Sequence, residues 1–320
     1  METKERDYLF DNYKAILIIL VVVGHFIEVA SEDNLGMQML KWMIFSFHMP
    51  AFIFISGYFS KKTYSLKILC RRLLVPYLVF EMFYYLLYTF VIHKETELYL
   101  LYPKFSLWYL MALFVWKFVT PYFKKIPGHI AWAVIAGLAV GATNIDDNFL
   151  TLPRMITFYP FFLLGTMFQR KWLTRLRTVR NRISAAGIFV VLNLFLAFVD
   201  IDNLFEEKIF YGRYNYEYLD LSDTEGVFVR LGCYAISLAM TLLMAMMVSE
   251  KQNRFSYLGS RTMAIYLFHG LIYSCFKSGA NFYHSLSNFA ESALILTASF
   301  LVVWLLSRKP FTDFMNICCL

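Results

Sequence analysis

Residues 13–30, YKAILIILVVVGHFIEVA, decide the fold. Between Lys14 and Glu28 the only side chain that titrates is His25, and the run matches the ~30 Å hydrocarbon layer of a bilayer at about 1.5 Å rise per residue. Nine further apolar segments follow, near 42–59, 73–92, 105–123, 128–142, 150–168, 183–199, 226–248, 262–276 and 289–306. The fifth and ninth are short, which suits spans that are broken or buried among neighbours. Backbone polar groups in lipid must be satisfied within the chain, and no strict apolar–polar alternation is present, so helices rather than a barrel follow. The reading is an all-α polytopic membrane protein of about ten transmembrane helices. No Ser/Gly linker, low-complexity tract or internal repeat divides residues 1–320, which read as one domain.

Composition agrees. Of 320 residues 59% are hydrophobic and 17% charged, where a soluble domain carries about 25% charged. The net charge of +7 does not point to nucleic acid, because its basic residues sit where cytoplasmic loops belong. With the N-terminus inside, 21 of the 30 Lys and Arg fall in inner segments and six (Lys41, Lys94, Lys104, Lys208, Arg213, Lys277) in outer ones. That bias places both termini in the cytoplasm. Lys4, Arg6 and Lys14 ahead of an apolar run resemble a signal peptide, but His25, Glu28 and nine later segments argue for an uncleaved first helix. The five cysteines show neither metal-ligand spacing nor an even count for a disulfide framework; Cys318 and Cys319 are candidates for lipidation, more often inert in such a place. The long outer connection, residues 200–225, holds Tyr211, Tyr214, Tyr216 and Tyr218 among acids. Such rings suit carbohydrate or a membrane interface, and the interface is favoured.

Ionisable groups inside apolar spans are costly and therefore functional candidates: His25, Glu28, His48, Glu81, Lys117, Arg154, Arg230, His269 and Glu291. Glu28, Lys117 and Glu291 lie near segment ends, where a side chain can bend to the interface. Lys14 and His25 are eleven residues apart, within about 20° of one helix face and roughly 16 Å along its axis. Gly24 leaves room beside the imidazole, and Glu28 is placed to orient it. A cation at the inner mouth suits a phosphate-bearing donor, and a neutral imidazole at depth suits proton removal from a hydroxyl. Read alone, Lys14 is an ordinary inner-loop cation. On the second, oppositely running segment, Phe47-His48-Met49-Pro50 puts His48 at a similar depth, and Pro50 predicts a kink.

Asp11-Asn12-Tyr13-Lys14 through Gly24-His25 resembles the opening of the acyltransferase-3 family, including its fucose 4-O-acetylase-like branch. Phe47-His48-Met49-Pro50 through Ser56-Gly57-Tyr58, Leu107-Trp108-Tyr109-Leu110 and Ile265-Tyr266-Leu267-Phe268-His269-Gly270 are similar to its later motifs, in the same order. The resemblance implies a ten-helix protein of the bacterial inner membrane that moves an acyl group, acetyl foremost, from cytoplasmic acetyl-CoA to a hydroxyl of a surface or lipid-linked carbohydrate. The chain has no metal-ligand spacing and no phosphate-binding glycine loop, so no metal is expected. The resemblance casts His25 as general base, with Glu28 and His48 as catalytic partners, and Lys14, Arg71 and Arg72 as ligands of the donor's phosphates. His48, Glu81 or Arg154 would hold the oxyanion or the acceptor. One departure stands out: the family's two arginines, three apart before the Pro of the third helix, meet Leu69 or Ile68 at the first position, so only Arg71 and Arg72 carry over.

Two rivals share the fold. A transporter or flippase of a lipid-linked sugar would use buried charges without consuming acyl-CoA. A sensor or assembly protein would keep the scaffold without the chemistry.

Overall fold

A computed structural model describes residues 6–146, 148–201, 205–278 and 280–319; Lys4, Asp147 and residues 202–204 of the long outer connection lie outside them. Among the described residues there is no strand. Each of the ten apolar segments is helical: α1 Tyr8–Ile27, α2 Leu35–Tyr58, α3 Leu66–Val91, α4 Trp108–Phe123, α5 His129–Ala142, α6 Leu152–Met167, α7 Val179–Ile201, α8 Asp223–Met247, α9 Thr262–Lys277 and α10 Asn288–Leu306. Short helices Arg170–Leu176, Arg254–Gly259 and Lys309–Cys319 join or follow them. Six are both long and apolar enough to cross a membrane: α1, α2, α3, α7 (through Val199), α8 and α10. The protein is a multi-pass membrane protein.

The helices differ in which medium they face. α1 is apolar all round and packs against α2, α9, α10 and the helix Arg254–Gly259, so it forms the core. α7 is just as apolar yet exposes Ile183, Val191, Leu194 and Phe195, a surface that only lipid satisfies. Of the two short segments expected among neighbours, α9 is buried along Ala264–Gly270, whereas α5 presents Trp132 and Ile135 outward.

Small residues and freed carbonyls set the central packing. A Cβ on Gly57 would lie 2.1 Å from the Phe162 carbonyl oxygen, and one on Gly165 would lie 2.0 Å from that of Phe54, so α2 and α6 cross backbone to backbone. Gly24 has the same use: its missing Cβ admits Ile44 of α2 at 2.9 Å, not open space beside the imidazole. α2 runs as one helix through Pro50. The carbonyl of Ser46, which Pro50 leaves without its helical donor, accepts a hydrogen bond from the Ser237 hydroxyl of α8. In α3 a π-helical turn at Cys70–Leu74 re-routes the backbone immediately before Pro76.

The connections sort into two ends. At one, Arg6 meets the Ser256 carbonyl, Lys61 the Phe168 carbonyl, Arg170 both Asp7 and Glu250, and Arg261 the Ser307 carbonyl. At the other, Ser31 and Asn34 bond Glu291, the Leu150 amide donates to the Leu101 carbonyl, and Arg213 donates to Asn148. Successive connections alternate between these ends, as antiparallel crossing helices require.

Candidate functional site

α4, α5, α6 and α9 are shorter than the other six helices, and irregular backbone fills the depth at which α4 and α6 begin. Non-helical chain at that depth is tolerated where it lines a cavity. Here it does: a cavity of about 440 Å³ opens beside Pro103, Ser106, Asn148 and Thr151, walled by α1, α2, α4 and α6 and roofed by Glu207–Tyr214.

His25, Glu28 and His48 all line this cavity. Nδ1 of His25 lies 3.4 Å from Oε1 of Glu28, within ion-pair reach but outside good hydrogen-bond geometry, and it has no other partner. The pair is loosely closed, and such contacts commonly tighten when substrate is bound. Glu28 is itself held by the Tyr273 hydroxyl at 3.0 Å. A proton on Nδ1 facing the carboxylate leaves Nε2 of His25 as the basic nitrogen. Nδ1 of His48 sits 2.7 Å from the Ile44 carbonyl and must carry its proton there, so Nε2 is again the free base. His269 stacks on His25 with ring centroids 5.4 Å apart; its Nδ1 donates to the Tyr266 carbonyl at 2.6 Å and its buried Nε2 has no partner.

Phe105 packs beside both imidazoles, its ring centroid 4.6 Å from that of His25 and 5.9 Å from that of His269, from a left-handed backbone with φ of 48°. A bulky residue there is strained and needs outside support. The support is present on both sides: Glu81 accepts from the Lys104 amide at 2.7 Å, and the Tyr266 hydroxyl binds the Ser106 carbonyl. Gly270 makes the space, because a Cβ there would meet the Tyr84 hydroxyl at 1.9 Å and Phe105 at 2.4 Å.

Other predicted groups divide between site and scaffold. Arg154 lines the cavity over the ring of Trp108, 5.1 Å from its centroid. Glu81 is committed to Lys104 and does not line the cavity. Arg230 ties the Gly137 and Tyr214 carbonyls together over Tyr216. Glu291 closes the connection between α1 and α2 through Ser31 and Asn34. Tyr211 and Tyr214 stand in the cavity wall and Tyr216 is buried against Gly141 and Gly226, whereas Tyr218 is exposed. Burial, with Glu28 and Glu207 nearby, pushes the Tyr211 phenol far above its usual range, so it stays a neutral hydroxyl. Sequence reasoning passed over Lys41 and Glu207, an ion pair of 2.6 Å in the cavity wall; both lie at segment edges, where a charge is unremarkable.

Lys14, Arg71 and Arg72 do not line this cavity. Lys14 is at the opposite end of α1, paired to Asp11 at 3.0 Å and over Phe59 at 5.2 Å. Arg72 and Lys117 share the face of Tyr64 at 5.8 and 5.5 Å, while Arg71 is exposed. Between the cations and the histidines along α1 and α2 lie the buried Ile18 and Ile55 and the contact of the Ser56 and Tyr109 hydroxyls.

A multi-pass helical membrane protein with basic imidazoles facing one polar cavity is of the class that handles a polar ligand inside the apolar layer. The chain belongs to the acyltransferase-3 family, whose model, described as an acyltransferase domain, matches residues 7–308. It is similar to the nodulation protein NolL of Sinorhizobium fredii (strain NBRC 101917 / NGR234), 30% identical over 186 residues that cover 52% of this chain and 49% of that protein. The NolL of Mesorhizobium japonicum (strain LMG 29417 / CECT 9101 / MAFF 303099) is 27% identical over 184 residues, with the same coverage. The chain thus spans about half the length of the curated relatives it matches. No solved structure matches it.

Proposed function

We propose that the protein is an O-acyltransferase that moves an acetyl group from cytoplasmic acetyl-CoA to a hydroxyl of a surface or lipid-linked carbohydrate, in the bacterial inner membrane, with ten crossings and both termini inside. The observation that carries this reading is the convergence of His25, Glu28 and His48, from two antiparallel helices, on one cavity. The alternating connections support the ten crossings, and the clustering of Lys and Arg at one end supports the orientation. Aromatic rings interleaved with polar groups (Trp108, Phe158, Tyr211, Tyr214) suit a sugar acceptor entering from the end opposite Lys14.

In this scheme Nε2 of His25 takes the proton of the acceptor hydroxyl while its oxygen attacks the thioester carbonyl carbon. The tetrahedral intermediate collapses with loss of the thiolate, which recovers the proton from the imidazolium, leaving an ester and a free thiol. Glu28 holds the imidazole and steadies its charge, with His48 in the cavity wall beside it and His269 stacked on it. Lys14, Arg71 and Arg72 serve the donor's phosphates at the inner end. On its way to His25 the thioester passes Ile18 and the Ser56–Tyr109 contact.

The test is thiol release from labelled acetyl-CoA by purified protein with a panel of glycosides. Release that depends on both acceptor and His25 is the expected result. Movement of a lipid-linked sugar with no thiol release would replace the enzyme by a carrier.

A further inference from the structure

The cavity wall carries Lys41, Arg154, Lys208, Arg213 and Lys277 against two carboxylates, Glu28 and Glu207. Its cations differ in what they already hold. Lys41 is paired with Glu207 at 2.6 Å, Lys208 with Glu206 at 2.6 Å, and Arg213 donates to Asn148. Arg154 and Lys277 have no side-chain ion pair or hydrogen bond among the described residues; Lys277 is exposed, whereas Arg154 is partly buried with the Trp108 ring against it. A guanidinium inside a protein cavity without an oxygen partner is costly, and the cost falls when an anion arrives. With its face against indole, the N–H donors on the rim of the group remain for a ligand in the cavity, in the fork geometry that fits carboxylate or phosphate. Arg154 projects from the first turn of α6, beside Thr151 and Tyr214, on the side where the acceptor enters.

We infer that the cavity selects an acceptor bearing an acidic group, a carboxylate or a phosphate, and that Arg154 over Trp108 is its binding subsite. This deepens the transfer reading and rests on it for the word acceptor, but the subsite has its own readout. Three probes settle it by isothermal titration of the full chain in nanodiscs of uncharged lipid: methyl glucuronide, glucose 1-phosphate and methyl glucoside. In wild type at least one acidic probe binds roughly 10-fold more tightly than the neutral one, a charge-assisted contact, and the preference weakens as salt rises. Arg154→Gln abolishes that preference and Arg154→Lys retains part of it, each folded by its thermal midpoint. The tighter of the two acidic probes identifies whether a uronate-like or a phosphate-bearing glycan is the source. In turnover, Arg154→Gln raises KM for the acidic acceptor and spares kcat.

Equal binding of acidic and neutral probes in wild type overturns the inference, as does a preference that survives Arg154→Gln. An equal fall in kcat with every acceptor, with binding unchanged, overturns it too, since Arg154 would then serve the reacting carbonyl. Acid preference without any thiol release sinks the transfer reading and leaves the subsite standing.

Discussion

His25 and Glu28 stand three residues apart on α1, and the Tyr273 hydroxyl from α9 fixes the carboxylate that faces the imidazole. His25→Gln keeps a hydrogen-bonding side chain of similar size but removes the base, so thiol release should fall by about 10²–10⁴-fold while yield and thermal midpoint in detergent hold. Unchanged acetyl transfer in that variant would end the base assignment. Glu81 belongs to the scaffold: Glu81→Gln loses the charge-assisted hold on Lys104, and the expected first effect is a lower thermal midpoint. His25, His48 and Arg154 were visible in the sequence because a titratable group in an apolar run has few structural excuses. Glu81, Arg230 and Glu291 gave the same signal and proved to be structural, because sequence shows a buried charge but not its partner. The use of Lys41 and Glu207 was illegible, since a charge at the edge of a span predicts nothing.

Helices α2 and α6 touch through Gly57 and Gly165, with backbone carbonyls as near neighbours of both. A backbone cannot rotate away as a side chain does. Gly165→Val should therefore separate the helices and lower stability by about 3 kcal/mol, read as a reduced thermal midpoint in detergent. Activity should fall with it, because α6 also carries Arg154 and Phe158 into the cavity. A midpoint unchanged in Gly165→Val would mean that the crossing is looser than its geometry. Element boundaries followed from apolar length, so α6, α8, α9 and α10 were predicted to within three residues, whereas α1 and α2 each begin seven residues before their apolar runs, at Tyr8 and Leu35. The exposure of α5 was not legible, because an apolar segment reads alike whether protein or lipid surrounds it. Which group takes the Ser46 carbonyl that Pro50 frees was likewise not legible, and it is the Ser237 hydroxyl of another helix.

On the scale of the whole molecule, the connections gather at two ends, one rich in Lys and Arg and the other bearing the cavity mouth. With the native cysteines replaced by serine, Asn215→Cys should react with a membrane-impermeant maleimide on intact cells, and Lys62→Cys only after permeabilisation. The reverse pattern would invert the topology. By itself the sequence determined the class, the helical segments, their likeness to the acyltransferase-3 motifs, and the depth of the two histidines. These follow from hydropathy and periodicity, which are properties of a segment in its solvent. Tertiary structure decided that four motifs close on one cavity, that Lys14, Arg71 and Arg72 stand apart from it, and that Arg154 faces it over the Trp108 ring while Arg230 is spent on backbone carbonyls. Those outcomes depend on which helices become neighbours, and apolar faces of similar composition carry no unique instruction for pairing until glycines, freed carbonyls and buried ion pairs meet across them.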